Sequence, residues 1–150
     1  MTEVLFYHLQ ARSLEEVLPS LLERSLERGW RVVVQSSSDE RVEALDAYLW
    51  TYREDSFLPH GTEKDGNAAE HQVLMTADED NRNGANVRFL VDGALMPADV
   101  AAYHRVVLLF DGDDPDAVAA AREHWSVAKA QGLETTYWQP DERGRWQRKA

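Results

Sequence analysis

The sequence contains no cysteine. This absence excludes disulfide bonds, zinc sites with thiolate ligands and cysteine nucleophiles, and it favours an intracellular compartment. Long hydrophobic runs are also missing, since no stretch approaches the roughly 18 apolar residues of a membrane span. The N-terminus, MTEVLFYHLQ, lacks the basic and apolar regions of a signal peptide. We therefore expect a soluble cytoplasmic protein with no membrane partner.

The glycine motifs that hold nucleotide phosphates are absent as well. LQARS follows the first apolar run, and neither GxGxxG nor GxxxxGK[ST] occurs anywhere. Without such glycines the backbone cannot approach a pyrophosphate closely. We expect no cofactor, although a small nucleotide- or metal-dependent enzyme that uses acidic loops at the strand ends stays open as an alternative.

Catalytic and metal-binding patterns are equally sparse. A partial calcium-loop pattern begins at Glu79, but its twelfth position is Leu90, where a bidentate Glu is required. The acidic run at 111–116 could hold magnesium or could turn the chain and cap the next helix, and the second interpretation is favoured. The five histidines form no HxH or HExxH pair, and no serine lies in a GxSxG context. The sequence predicts no catalytic residue and no metal site.

Basic residues are few, with 16 Lys and Arg against 27 Asp and Glu and a net charge of -11. Such a chain repels polyphosphates at long range, so strong direct nucleic-acid binding is not expected. The local exception is the basic C-terminal end at 143–150, which surrounds Trp146 and contains Arg143, Arg145, Arg148 and Lys149 but no acid.

The 150 residues fit a single domain, 1–150. Apolar runs predict strands at 4–8, 30–35, 73–76, 87–92 and 105–111, with edge strands at 135–139 and around Trp146. Strands that alternate with helices predict a single Rossmann-like three-layer α/β domain, with an open, mostly parallel sheet, helices on both faces and no phosphate-binding glycine loop. The polar segment 62–71 has no periodicity and is expected to be a mobile loop.

The helix boundaries have their own signals. Ser13 and Glu16 form a capping-box pattern for a first helix running toward position 29, and Pro19 predicts either a kink or a start nearer Pro19. Asp39 is expected to cap a second helix that runs to about Tyr52. A short helix is predicted at 97–104 and a long one at 116–131, which Gly132 ends.

The segment 45–61, LDAYLWTYREDSFLPHG, begins as an amphipathic helix and continues as a loop rich in apolar groups. Its apolar side chains cannot all share one helical stripe, so some must pack elsewhere or meet another protein. The groups in question are Trp50, Phe57, Leu58 and Pro59. The alternative is a loop anchored by its own Trp50 and Phe57.

The last long helix carries a more specific pattern. Offsets of three, four and seven residues place Arg122, Trp125, Ser126 and Lys129 on one face. Two cations beside an indole suit an acidic peptide that ends in an apolar side chain or a carboxylate. The alternative is an ordinary surface helix with a half-buried Trp.

These segments together resemble the chi subunit of bacterial DNA polymerase III. The most specific likeness is to the family pattern LDxxLW...SFxPH, which is matched here by Leu45, Asp46, Leu49, Trp50, Ser56, Phe57, Pro59 and His60. The likeness runs nearly end to end, from an FYHL-type first strand through a GxRVVV-like second strand to an ARExW-type final helix.

The resemblance implies a non-catalytic accessory subunit for DNA replication, which joins the clamp loader through the psi subunit and binds the acidic C-terminal tail of single-stranded DNA-binding protein. It implies that Trp50 and Phe57, with Pro59 beside them, meet psi or an equivalent helicase partner. It also implies that Arg122 and Trp125 bind the tail. Ser126 and Lys129 join this second site only because they share its helical face.

The chain departs from the family at two positions. Members with a fuller basic face carry Lys where this chain has Val118 and Ser126, and the loop at 111–116 is strongly acidic. We therefore expect weaker or differently placed tail binding, assisted by Arg143, Arg145 and Arg148.

Overall fold

The computed structural model describes residues 2–10, 12–52 and 58–150, which contain one sheet of eight strands and three α-helices. The strands are β1 (Glu3–Leu9), β2 (Val32–Gln35), β3 (Gly61–Thr62), β4 (Val73–Thr76), β5 (Val87–Leu90), β6 (Arg105–Asp111), β7 (Glu134–Pro140) and β8 (Trp146–Arg148). The helices are α1 (Leu14–Glu27), α2 (Asp39–Thr51) and α3 (Pro115–Ala130). Short 3-10 helices occur at Glu63–Asp65, Ala68–Glu70 and Val100–Ala102.

The strand order is β3-β4-β2-β5-β6-β1-β7-β8, and every pair is parallel except β7 and β8. From β1 the chain passes through α1 to β2 on one side of β1, whereas from β6 it passes through α3 to β7 on the other side. Where two connections diverge in this way, a crevice opens at the carboxyl ends of the strands. The crevice here lies between β1 and β6.

Alternating side chains of β1 supply both faces of the sheet. Leu5 and Leu9 pack on the side of α1 and α2, in a core of mainly Leu and Val. Val4 and Phe6 are fully buried on the opposite side, against α3. The two cores confirm the three-layer α/β architecture that the alternation of elements predicts.

Several predicted boundaries agree with the structure. The strands at 73–76 and 105–111 are observed at those positions. The capping box is confirmed, because the Ser13 side chain accepts from Glu16 N while the Glu16 carboxylate accepts from Ser13 N. Helix α1 therefore begins at Leu14 and contains Pro19, so the alternative start near Pro19 is wrong.

Other boundaries differ for physical reasons. The cap of α2 is Ser38, whose hydroxyl accepts from Arg41 N, and Asp39 is the first helical residue. The predicted helix at 97–104 is only the 3-10 turn Val100–Ala102, because Val100 and Tyr103 are drawn into the core beneath it. Strand β7 is not an edge strand, since β8 covers it.

The polar segment at 62–71 has local structure despite its lack of periodicity. It contains the end of β3 and two 3-10 helices, and the Asp65 carboxylate accepts from Thr62 N at 2.9 Å. Within the described ranges, none of the helices has the length and apolar character that crossing a bilayer requires.

Candidate protein-binding sites on α3 and at the end of α2

Helix α3 is held at both ends by local signals. Asp114 caps its first turn by accepting from Asp116 N at 3.0 Å, and Pro115 occupies the first helical position. Gly132, at φ 75°, follows the helix. Ala121 and Ala128 face the sheet and are buried, so the stripe between Arg122 and Lys129 remains on the solvent side.

Trp125 is the centre of this stripe and is half-buried. Its ring meets the fully buried Phe6 edge to face at 5.3 Å between centroids, and it meets Tyr137 of β7 edge to face at 6.1 Å. These contacts hold the indole in a fixed orientation while part of it stays exposed. The arrangement is an aromatic platform suited to an apolar side chain of a partner.

Two cations border the platform. Lys129 Nζ lies 5.1 Å from the centre of the Trp125 ring, a cation-π distance. Arg122 is close enough to Tyr137 that its charge partly opposes the rise in the Tyr137 pKa that burial causes. Within residues 2–10, 12–52 and 58–150, neither Arg122 nor Lys129 forms an ion pair, and both are exposed. Ser126 is exposed beside them.

The contacts of His8 that support the platform were not predicted from the sequence. His8 Nδ1 lies 2.6 Å from the Tyr137 hydroxyl, and the His8 ring meets Phe110 at 5.3 Å. Burial lowers the pKa of His8, which favours the neutral ring and hence a hydrogen bond from Tyr137 to Nδ1. No local motif could indicate this pair, because it depends on β1 lying between β6 and β7.

The basic C-terminal end is placed differently from expectation. Arg145 Nε pairs with Asp141 at 3.3 Å, and the register opposes Arg148 to Trp138, which packs on the α1 side of the sheet. Lys149 instead donates its backbone N–H to Tyr137 O at 2.7 Å. Because directly opposed residues point to the same face, extending the register by one residue predicts that Lys149 lies on the α3 side with Tyr137. Arg148 therefore lies on the side of the sheet away from α3.

The end of α2 presents a second candidate surface. Leu45, Leu49 and Leu58 are buried in the core, whereas Trp50 is 52% exposed and Pro59 is half-buried. Phe57 lies outside the described residues. A half-exposed indole disagrees with a loop that is anchored by burial of its own Trp50, and it provides an apolar group that a partner can cover.

Trp50 rests on a polar support. Its ring centroid lies 4.5 Å from that of His60, whose side chain is buried. His60 Nε2 lies 3.1 Å from Asp46 Oδ1, and Nδ1 lies 2.7 Å from Leu58 O. Burial raises the pKa of Asp46, and the neighbouring His60 opposes this rise. The motif residues Asp46, Trp50 and His60 are therefore one connected unit.

The crevice between β1 and β6 is the place where the enzyme alternative would act. It has a volume of about 760 Å³ and is bordered by the loop at 111–116. Asp111 accepts from Asp113 N at 2.9 Å and Asp114 caps α3, so two of its acids turn the chain and cap the helix as predicted. Arg41 at the opposite wall is paired with Asp92 and Glu15. The described residues contain no group of three or more potential metal ligands.

Comparison with known proteins identifies the family to which the chain is similar. The family model of the DNA polymerase III chi subunit, HolC, matches residues 1–136. A probable DNA polymerase III subunit chi of Rickettsia prowazekii (strain Madrid E) is 26% identical over 101 residues, which are 67% of this chain and 59% of that protein. The chain thus matches less than two thirds of that relative's length. Chi is a non-catalytic accessory subunit of the polymerase. Because the family model covers most of its residues, the chain belongs to the DNA polymerase III chi subunit family.

Proposed function

We propose that this protein is a replication adaptor, which joins the polymerase III clamp loader to the acidic C-terminal tail of single-stranded DNA-binding protein. The observation that carries the proposal is the half-buried Trp125 between Arg122 and Lys129, two cations without a carboxylate partner in the described part of a chain of charge -11. A carboxylate-rich segment can occupy such a site at little cost, because no internal ion pair must first be broken.

The chemistry of the tail matches the groups on α3. Its acidic residues and terminal carboxylate would accept hydrogen bonds from Arg122 and Lys129, and its apolar Pro-Phe end would pack on the Trp125 and Tyr137 rings. Ser126 adds a hydroxyl to the same face. Val118 packs against the core beneath this helix, so the position where other members carry Lys contributes apolar contact without charge.

Calorimetry with a synthetic tail peptide tests this site. Arg122→Ala and Trp125→Ala should each weaken binding at least about tenfold, since truncation of a central aromatic or Arg anchor costs about 2 kcal/mol or more. Lys64→Ala is the matched control, because it removes one exposed positive charge near α2. Unchanged affinity in both α3 variants would remove the tail from this helix.

We assign the second partner, psi or an equivalent helicase subunit, to the surface formed by Trp50 and Pro59, with Phe57 as its further predicted member. The half-exposed Trp50 ring on its buried His60 support gives this surface its physical basis. Partner anchors are enriched in Trp, and polar support beneath them fixes their orientation.

A binding comparison with purified candidate partners distinguishes specific binding at this surface from nonspecific hydrophobic binding. Trp50→Arg should abolish capture of psi or the helicase partner, while Leu95→Arg should leave it intact. Leu95 is a fair control because it is 65% exposed and lies at the crevice between β1 and β6. Equal capture by both variants would exclude Trp50 from the interface.

A further inference from the structure

A small cavity lies at the amino edge of the sheet, on the α1 side. Strand β6 begins there and α1 ends there, so side chains from distant parts of the chain converge. The cavity has a volume of about 100 Å³, and Arg24, Arg28 and Arg105 line it together with Tyr7 and Trp30. We call these five residues the arginine pocket.

The cations of the arginine pocket have unused donors. In the described ranges, the side chains of Arg24 and Arg28 form no hydrogen bond or ion pair, and both residues are exposed. Arg105 Nη2 pairs with Glu3 at 3.0 Å, but the buried Arg105 Nε has no hydrogen-bond partner. A buried donor without an acceptor is costly, so a ligand that supplied one would bind favourably.

A single aromatic ring, that of Trp30, contacts two of these cations. The guanidinium carbons of Arg28 and Arg105 each lie 5.0 Å from the centre of the Trp30 ring. These contacts favour the observed guanidinium positions before a ligand binds, which lowers the entropy cost of binding. The Trp30 ring is engaged by these groups and by His104 at 5.1 Å, so it supports the cations rather than stacking on a base.

The three positive charges act on one point, the Tyr7 hydroxyl. Burial raises the pKa of Tyr7, and Arg105, Arg24 and Arg28 each oppose that rise. The hydroxyl has no hydrogen-bond partner among the described residues and adds a further donor. Cations at the end of α1 are expected from the helix dipole, but Arg105 comes from the first residue of β6, which the dipole does not explain.

We propose that the arginine pocket binds a phosphate group. The pocket offers N–H and O–H groups as hydrogen-bond donors. Three of its side chains carry guanidinium groups, whose geometry matches that of phosphate oxygens. The cavity of about 100 Å³ is small, which suits a phosphate group better than a whole nucleoside. The site does not depend on either partner surface, because it involves none of the residues of α3 or of the end of α2.

An NMR titration of the full chain with inorganic phosphate tests the proposal, with ionic strength held constant by potassium chloride. The Arg105 Nε–H and Trp30 indole signals should shift and saturate. Arg24→Gln and Arg28→Gln should each weaken binding about tenfold, as expected for a lost charge-assisted hydrogen bond. Arg143→Gln should change the affinity by less than about twofold, because Arg143 follows β7 at the opposite edge of the sheet.

Other results would overturn the proposal. Shifts that rise linearly with phosphate, or that are weakened equally by Arg143→Gln, would indicate general charge screening instead of a site. A parallel titration with acetate should be at least about tenfold weaker, since acetate carries one charge and two oxygens. Acetate binding as tight as phosphate would refute the phosphate assignment in favour of a carboxylate.

Discussion

His8 connects the end of β6 to the aromatic platform on α3. Its Nδ1 contacts the Tyr137 hydroxyl at 2.6 Å, while its Nε2 would lie only 2.0 Å from a Cβ built at Gly112. A side chain at 112 would therefore force the His8 ring to move. The same ring supports Tyr137, which in turn supports Trp125. A methyl group at 112 should disturb the tail site without touching it.

Gly112→Ala should lower the free energy of unfolding by about 1–3 kcal/mol, since the ring must leave its packed position. Tail affinity should fall with it, because Tyr137 loses its hydrogen-bond partner. Urea denaturation and calorimetry measure the two effects. In a His8→Ala background, Gly112→Ala should lower the free energy of unfolding by less than half as much. An equal cost in both backgrounds would mean that His8 is not the obstacle.

The protonation of His8 should also make stability depend on pH. Burial lowers the pKa of His8 in the folded chain below its ordinary value of 6.5, although Asp113 and Asp111 partly oppose this effect. As pH falls, His8 therefore takes up its proton in the unfolded chain before it does so in the folded chain. The contribution of His8 to the free energy of unfolding is complete above pH 6.5 and is lost as pH falls through the lowered pKa of the folded state.

Urea unfolding between about pH 7.5 and about pH 5.5 measures this loss. His8→Gln should reduce the slope of the free energy of unfolding against pH. Part of the slope should remain, because burial lowers the pKa of His124 as well. An unchanged slope in His8→Gln would show that His8 titrates alike in both states.

At the scale of elements, β8 lies at the edge of the sheet next to β7, which carries Tyr137 of the proposed tail site. The antiparallel register places Arg148 on the side of Trp138, and its extension by one residue predicts Lys149 on the side of Tyr137. Lys149→Ala should therefore weaken tail binding about twofold to fivefold, the range for a partly exposed charge. Arg148→Ala removes one positive charge from the preceding position, the last residue of β8, and should have no effect. Calorimetry that ranks the two variants in reverse would contradict the register argument.

The sequence was informative wherever an element depends on its own residues. The strands at 73–76 and 105–111, the capping box at Ser13 and the exposed stripe of α3 all follow from local pattern. The helix predicted at 97–104 failed because burial of Val100 and Tyr103 overrides helical propensity there.

Features that depend on the order of the strands in the sheet could not be predicted from the sequence. Arg88 lies inside an apolar run, yet it is fully buried. It donates to Gln35 at 2.8 Å and to the Tyr103 hydroxyl at 2.9 Å, as well as to Asp78 O. These acceptors come from β2 and from two loops, so only the assembled sheet brings them together. The same reason explains why the contact between His8 and Tyr137 was missed.

At the scale of the whole molecule, the sheet separates the two proposed partner surfaces. Helix α2, which carries Trp50, packs with the core that contains Leu45 and Leu49, whereas α3 packs with the opposite core. A partner on one face therefore does not block the other face. This separation is what a protein requires if it is to hold the clamp loader and the tail at the same time.

The net charge of -11 should give tail binding an unusual dependence on salt. At about 0.01 M salt the Debye length is about 30 Å, so an acidic peptide feels repulsion from the entire chain. At about 0.1 M the length falls to about 10 Å, which screens distant acids while Arg122 and Lys129 still attract the bound peptide. Affinity should therefore rise between these concentrations and then fall toward about 1 M, where the local attraction is screened too.

Fluorescence anisotropy with a labelled tail peptide across this range measures the curve. Arg122→Ala should keep the rise at low salt but show a shallower fall at high salt, because the rise comes from the whole chain and the fall from the local cations. A peptide of the same length without acids should show neither effect. A steady loss of affinity from the lowest salt upward in the wild type would mean that the local cations outweigh the net charge at every distance.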